Sequence, residues 1–138
     1  MNGVSNFLEC NHSIKGERLL NKVTNEDLLV WQEGMELVEN TYKVFNSSRD
    51  FGFTNQIQRS SVSIPSNIAE DFERQTNKEF VHFLYLAKGS CGEYRIQLYL
   101  SKRLNKIEES SFEFLLNKSQ KISAMFVKLI KTRRENFS

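Results

Sequence analysis

The sequence predicts an all-α protein, an antiparallel up-down-up-down four-helix bundle. Two observations carry that prediction. From residue 24 onward, apolar residues recur at steps of three and four through four successive stretches, the spacing of one buried helix face. Three of those stretches open with a hydroxyl residue followed three positions later by an acid: Thr24 to Asp27, Thr76 to Glu79 and Ser110 to Glu113. In this capping-box pattern the two side chains satisfy each other's otherwise unpaired backbone N–H groups. A single proline and six glycines in 138 residues leave too few turn formers for a turn-dense β fold. The length fits one domain, and short connections between long helices imply antiparallel neighbours.

The first helix is expected over about 25–47. Leu28, Trp31, Met35, Val38, Tyr42 and Phe45 form a seam at bundle spacing and are expected to face inward. Val30, Leu37 and Val44 repeat every seven residues on another side, which predicts a second, outward apolar stripe. "NSSRDFGF" then ends the helix. The second helix, about 53–74, turns Phe53, Ile57, Ile64, Ile68 and Phe72 inward and contains Pro65. An interior proline costs roughly 3 kcal/mol, because it lacks an N–H and its ring crowds the carbonyl four residues back. A bend is expected there, with Ser61, Ser66, Asn67 or water serving the freed Ser61 carbonyl. The small side chains Ser60, Ser61, Ser63, Ser66 and Ala69 leave room for a neighbouring helix.

The third helix, about 77–104, is expected to bury Phe80, Phe83, Leu84, Ala87, Cys91, Tyr94 and Leu98. It carries a second stripe of Val81, Tyr85, Ile96 and Tyr99. Gly89 and Gly92 lie mid-helix, each about 1 kcal/mol worse than alanine, and the expected return is close helix approach. The fourth helix, about 110–133, turns Phe112, Leu115, Leu116, Ile122, Phe126, Leu129 and Ile130 inward, with Lys118, Lys121, Lys128 and Lys131 opposite. Residues 1–23 show no periodicity long enough for an element and are expected to form a poorly ordered arm before the 24–138 bundle.

A polar edge runs beside the apolar face of the second helix: Gln56, Arg59, Ser63, Asn67, Glu70 and Arg74. Ser90, Glu93 and Gln97 form a comparable edge on the third. A hairpin folding about Gln75–Thr76 would oppose Arg59 with Glu93 and Ser63 with Ser90, and would leave Glu70 and Arg74 as an i,i+4 pair. Arg59, Ser63, Asn67, Glu70, Arg74, Ser90 and Glu93 are thus expected to form a structural network that fixes register, or alternatively an anion or RNA contact.

Several function classes are set aside by composition. No apolar run approaches the ~20 residues of a membrane span, and the N-terminus has no signal-peptide hydrophobic region, so a cytoplasmic protein is expected. Cys10 and Cys91 cannot build a disulfide framework or a zinc site, and are expected to be incidental thiols. His12 and His82 stand apart; His82 lies within a turn of Glu79, a spacing typical of surface ion pairs. With no phosphate-binding glycine loop, no metal-ligand spacing and no nucleophile signature, neither a catalytic residue nor a cofactor or metal is expected.

Charge is unevenly divided. Residues 26–74 hold four basic and nine acidic side chains, and residues 75–138 hold twelve basic and six acidic. Such a split suits an acidic partner, complementary subunit edges, or merely solvated helix faces. The candidate nucleic-acid contacts are Lys88, Arg95, Lys102, Arg103 and Lys106, then Lys118, Lys121, Lys128, Lys131, Arg133 and Arg134. Tyr85 and Tyr99 are candidates for base stacking, though their spacing also suits packing. The second stripes, Val30, Leu37 and Val44 with Val81, Tyr85, Ile96 and Tyr99, form the expected oligomer interface, since a lone bundle would leave them wet.

"SIPSNIAEDFER" followed by "KEFVHFLYLAKGSCGE" resembles the four-helix-bundle proteins encoded by intervening sequences within bacterial 23S ribosomal RNA genes. Ser63, Ile64, Pro65, Asn67, Ile68, Ala69, Glu70 and Arg74 match that family's pattern. So do Glu79, Phe80, Phe83, Leu84, Ala87, Gly89, Ser90 and Glu93. Asp71 stands where a glycine is usual, which leaves the end of the second helix unsettled. The resemblance, over about residues 26–133, implies an all-α bundle that assembles into a ring-shaped homopentamer. The accessory protein of diversity-generating retroelements, which serves a reverse transcriptase, shares that architecture. The role the resemblance implies is RNA binding by a non-enzymatic oligomer; the alternative is a protein-interaction scaffold, for example for a nucleic-acid-processing enzyme such as a reverse transcriptase.

Overall fold

The computed structural model describes residues 23–74 and 76–136. They form four helices: α1 (Asn25–Phe45), α2 (Phe51–Asp71), α3 (Asn77–Arg103) and α4 (Glu109–Asn136). The expected arm, with Cys10 and His12, lies outside the described residues except for Val23, which packs against the core. Five-residue connections join the helices. Each helix packs on two neighbours, and α1 closes on α4, so the antiparallel bundle is square. Among the described residues no helix is long and apolar enough to cross a membrane.

Local chemistry sets the ends. Thr24–Asp27 and Thr76–Glu79 form reciprocal capping boxes. Asp50 caps α2 by accepting the Phe53 N–H at 3.2 Å. Ser110 was expected to cap the last helix, but α4 already starts at Glu109, so Ser110 lies inside the first turn. The helix ladder opens from the Glu108 carbonyl, which accepts the Phe112 N–H at 2.9 Å. At the end of α3, Asn105 adopts a left-handed φ of 57°. Its N–H and that of Lys106 return to the carbonyls of Lys102 and Ser101, the paired bonds of a Schellman stop. α2 ends at Asp71, three residues before the expected Arg74.

The interior matches the expected seams of α2, α3 and α4 closely, with Ile57, Ile64, Ile68, Phe80, Leu84, Ala87, Cys91, Tyr94, Leu98, Leu115, Ile122 and Phe126 all inaccessible. Phe53 and Phe83 are only half-buried. α1 reverses its expectation. Val30 and Leu37 are fully buried in the chain's own core and Val44 packs against it, so this stripe is not an outer face. The inner line is Val30, Gly34, Leu37, Thr41 and Phe45. Met35 and Tyr42 are exposed, and Leu28, Trp31 and Val38 are half-buried.

Gly34 and Thr41 hid the inner line because their reasons lie on other helices. A Cβ on Gly34 would stand 3.5 Å from the Pro65 ring, so proline packs on bare α1 backbone. Pro65 therefore fills the α1–α2 contact. The serines around it bond back along their own helix: Ser60 to Ile57, Ser61 to Gln58 and Ser63 to Ser60, with the Asn67 amide donating to the Ser63 carbonyl. Thr41 donates to the Leu37 carbonyl at 2.7 Å and lies 2.5 Å from the buried Tyr94 hydroxyl. Burial raises the Tyr94 pKa, so its O–H stays protonated and available. Burial likewise pushes the Cys91 thiol up to about 11, and its S–H donates to the Ser119 carbonyl. It behaves as a small core residue.

Candidate nucleic-acid interface

The eleven cations proposed as nucleic-acid contacts separate into two groups. Lys118 and Lys121 reach across to α1, where Glu33 and Glu36 accept them at 3.3 to 3.7 Å. Lys102 pairs with Glu109 at 3.3 Å and lies over the Phe112 ring. Lys106 meets Asp50 at 2.8 Å. That bond, with the Phe53 N–H, holds the Asp50 carboxyl below the usual carboxylate range. Glu109 is lowered too, by hydrogen bonding with Glu113 first and Lys102 second.

Arg133 points inward, which corrects its expected place on an outer basic face. It is 2% exposed, pairs with the 1% exposed Asp27 at 2.7 Å, and its guanidinium stacks 3.7 Å from the Phe80 ring centre. Asn77 donates to its carbonyl at 3.0 Å. This residue ties α4 to α1 and α3.

The second group has no ion pair among the described residues. Arg103 is exposed, Lys128 rims a pocket of about 360 Å³ beside Leu29, Met125 and Leu129, and half-buried Arg95 points one nitrogen toward Cys91 at 3.9 Å. The other three converge. Lys88 of α3 and Lys131 and Arg134 of α4 line a shallow groove of about 410 Å³ with Tyr85, Val127, Ile130 and Glu135. Arg134 donates to the Tyr85 hydroxyl at 2.9 Å. Three cations face a single carboxylate there, on an apolar floor beside an exposed aromatic ring. That combination suits a phosphodiester with an adjoining base.

The polar edge forms in part. Glu70 and Arg74 pair, and Arg74 stacks on Phe83. Asn67 donates to Ser90 at 3.4 Å, and Ser60 donates to Gln97 at 2.5 Å. These contacts shift the α2–α3 register by more than a helical turn from the expected one. Arg59 and Glu93 consequently line one α2–α3 cleft of about 340 Å³ without an ion pair, and Ser63 bonds within its own helix rather than to Ser90.

On the outer side of α3, Tyr85, Ile96 and Tyr99 are exposed and Val81 is half-buried. Gly89 and Gly92 complete their three-four spacing. A Cβ at either glycine would meet nothing within 4 Å, so neither serves helix approach inside this bundle.

The bundle and its motif-bearing hairpin agree with the comparison that decides the family. The family described as 23S rRNA-intervening sequence protein matches residues 26–128. The chain belongs to that family. A crystal structure of a protein of unknown function from the S23 ribosomal protein family of Bacteroides thetaiotaomicron is similar, with a TM-score of 0.71 and 28% identity. The alignment covers 78% of this chain and 99% of that one. No curated protein is significantly similar. Within the family's fold, sequence reasoning had named every cation of the α3–α4 groove but not their convergence, and it had missed the buried partners of Arg133.

Proposed function

We propose that this family member is a non-enzymatic, self-associating bundle that binds structured RNA, with the α3–α4 groove as its contact. One observation carries the RNA assignment: after the chain's own carboxylates have paired Lys102, Lys106, Lys118, Lys121 and Arg133, three of the six candidates that remain, Lys88, Lys131 and Arg134, meet at Tyr85. Cations already paired release few counterions on meeting phosphate, whereas unpaired ones in a cluster supply the salt-dependent affinity of nucleic-acid binding. Self-association is supported by the outer line of α3. Two mid-helix glycines cost about 1 kcal/mol each, and a Cβ at either would meet nothing within 4 Å among the described residues. A second copy crossing at Gly89 and Gly92, beside the exposed Ile96 and Tyr99, supplies the missing contact and leaves Tyr85 to the groove; the homopentamer implied by the resemblance belongs to this reading.

The test is a salt series of binding to a structured RNA, with assembly followed by light scattering. Reversing Lys88, Lys131 and Arg134 to Glu together abolishes binding, and neutralising them lowers the log–log salt slope by about 2 to 3. Wild-type affinity in the reversed protein overturns the proposal. A protein-scaffold role is the second reading, favoured by the same exposed line on α3. It predicts tight, salt-insensitive capture of a protein partner that Ile96→Glu abolishes.

A further inference from the structure

The start of α1 and the ends of α2 and α4 meet around two buried carboxylates. Asp71, the last residue of α2, is fully buried, and neither of its carboxylate oxygens has a hydrogen-bond partner among the described residues. Asp27 of α1 gives its Oδ2 to Arg133 and to its capping box, and its Oδ1 is also buried without a partner. The charged groups acting on Asp71 are Asp27 from α1, Glu70 from its own helix, Arg74 from the following turn and Arg133 from α4. Arg74 is already engaged by Glu70. At this end α3 supplies the Phe80 ring and the Asn77 amide, and none of its charged groups acts on Asp71.

Two ionised carboxylates against one buried guanidinium would leave an uncompensated negative charge in a buried site. A proton on one carboxylate removes it. We propose that Asp71 is a proton-operated latch for the end of α4. Protonated, it makes no claim on Arg133, which keeps its pair with Asp27, and the last turns of α4 stay docked. When it loses its proton to solvent, the new charge competes for Arg133 and draws water in, and those turns loosen. Desolvation, with the neighbouring Asp27 second, places the Asp71 pKa at about 9.

Stability follows the same sign. The native state holds a proton that the unfolded chain releases near 3.8. The contribution of Asp71 to stability is therefore greatest below that value, falls as pH rises toward about 9, and then levels off. The latch also acts on function, a part that rests on the RNA proposal. Arg133 faces inward, while Arg134, the next residue, lines the groove with Lys131.

The experiment uses the full chain and Asp71→Asn, which keeps the shape without a titrating group. The Asp71 carboxyl is followed by carbon NMR through acid and alkaline pH, and amide protection is followed over residues 128–135. Expected is a carboxyl still protonated at neutral pH, with wild-type protection at the end of α4, relative to Asp71→Asn, falling about tenfold per pH unit as pH rises toward about 9 and levelling off above it. A titration in the ordinary carboxylate range overturns the latch, and so does equal loss of protection in both proteins. If Asp71→Asn does not fold, the wild-type titration decides alone. RNA affinity is recorded in parallel: no binding at any pH overturns the RNA proposal while leaving the latch to these RNA-free readouts.

Discussion

Arg133→Met removes a guanidinium and leaves a side chain of similar reach against Phe80. Arg133 and Asp27 are 2% and 1% exposed, and 2.7 Å separates their bonded atoms. Removing one partner of such a buried pair costs roughly 3–5 kcal/mol, because the other charge is stranded. The exposed Lys102–Glu109 pair, at 3.3 Å, sets the contrast, since pairs of that kind contribute roughly 0–1 kcal/mol. The assay is urea unfolding followed by circular dichroism for Arg133→Met, Asp27→Asn and the double variant. Asparagine retains an oxygen that can accept the Thr24 N–H, so Asp27→Asn removes the charge and keeps the capping box of α1. The double variant should cost less than the two singles together, by roughly 1 kcal/mol or more, because neither charge is then left alone. A loss below roughly 1 kcal/mol for Arg133→Met, the size expected of a surface pair, or strict additivity in the cycle, refutes the buried tie.

Two further expectations test the packing. Leu37→Ala should cost roughly 2–5 kcal/mol, equally at every protein concentration, because Leu37 is fully buried in its own chain; a loss that appears only with dissociation, measured by thermal unfolding across a dilution series, would return Leu37 to an interface. Gly89→Ala and Gly92→Ala meet open space within the bundle and should each stabilise the isolated subunit by roughly 0.5–1 kcal/mol while weakening self-association in light scattering; unchanged assembly would remove the support these glycines give to it.

How much of this was legible depended on how local each cause was. Capping boxes at Thr24 and Thr76 involve neighbours three residues apart, and both formed as expected. The inner faces of α2, α3 and α4 were carried by large apolar residues at regular spacing. α1 misled because its inner line contains Gly34 and Thr41, residues that look like interruptions until Pro65 and Tyr94 are placed beside them. Its partly exposed line, with Trp31, Met35 and Tyr42, has the bulkier side chains and so the stronger apolar signal. The lysine stripe of α4 was visible, but not that Glu33 and Glu36 would stand opposite Lys118 and Lys121. The convergence of Asp27, Asp71 and Arg133 joins three helix ends far apart in sequence, and no periodicity reports it. The register of α2 against α3 was misjudged for a related reason: a short turn limits the pairing without fixing it, and Ser60–Gln97 and Asn67–Ser90 decide it.

The most direct test of the functional account compares two charge reversals of the same kind on one structured RNA. Lys88→Glu/Lys131→Glu alters the groove beside Tyr85, and Lys118→Glu/Lys121→Glu alters cations already paired with α1. Fluorescence anisotropy at one fixed salt concentration should show binding lost in the groove variant and largely kept in the other, with both proteins folded. Binding lost equally in both, or only in the Lys118/Lys121 variant, contradicts the account.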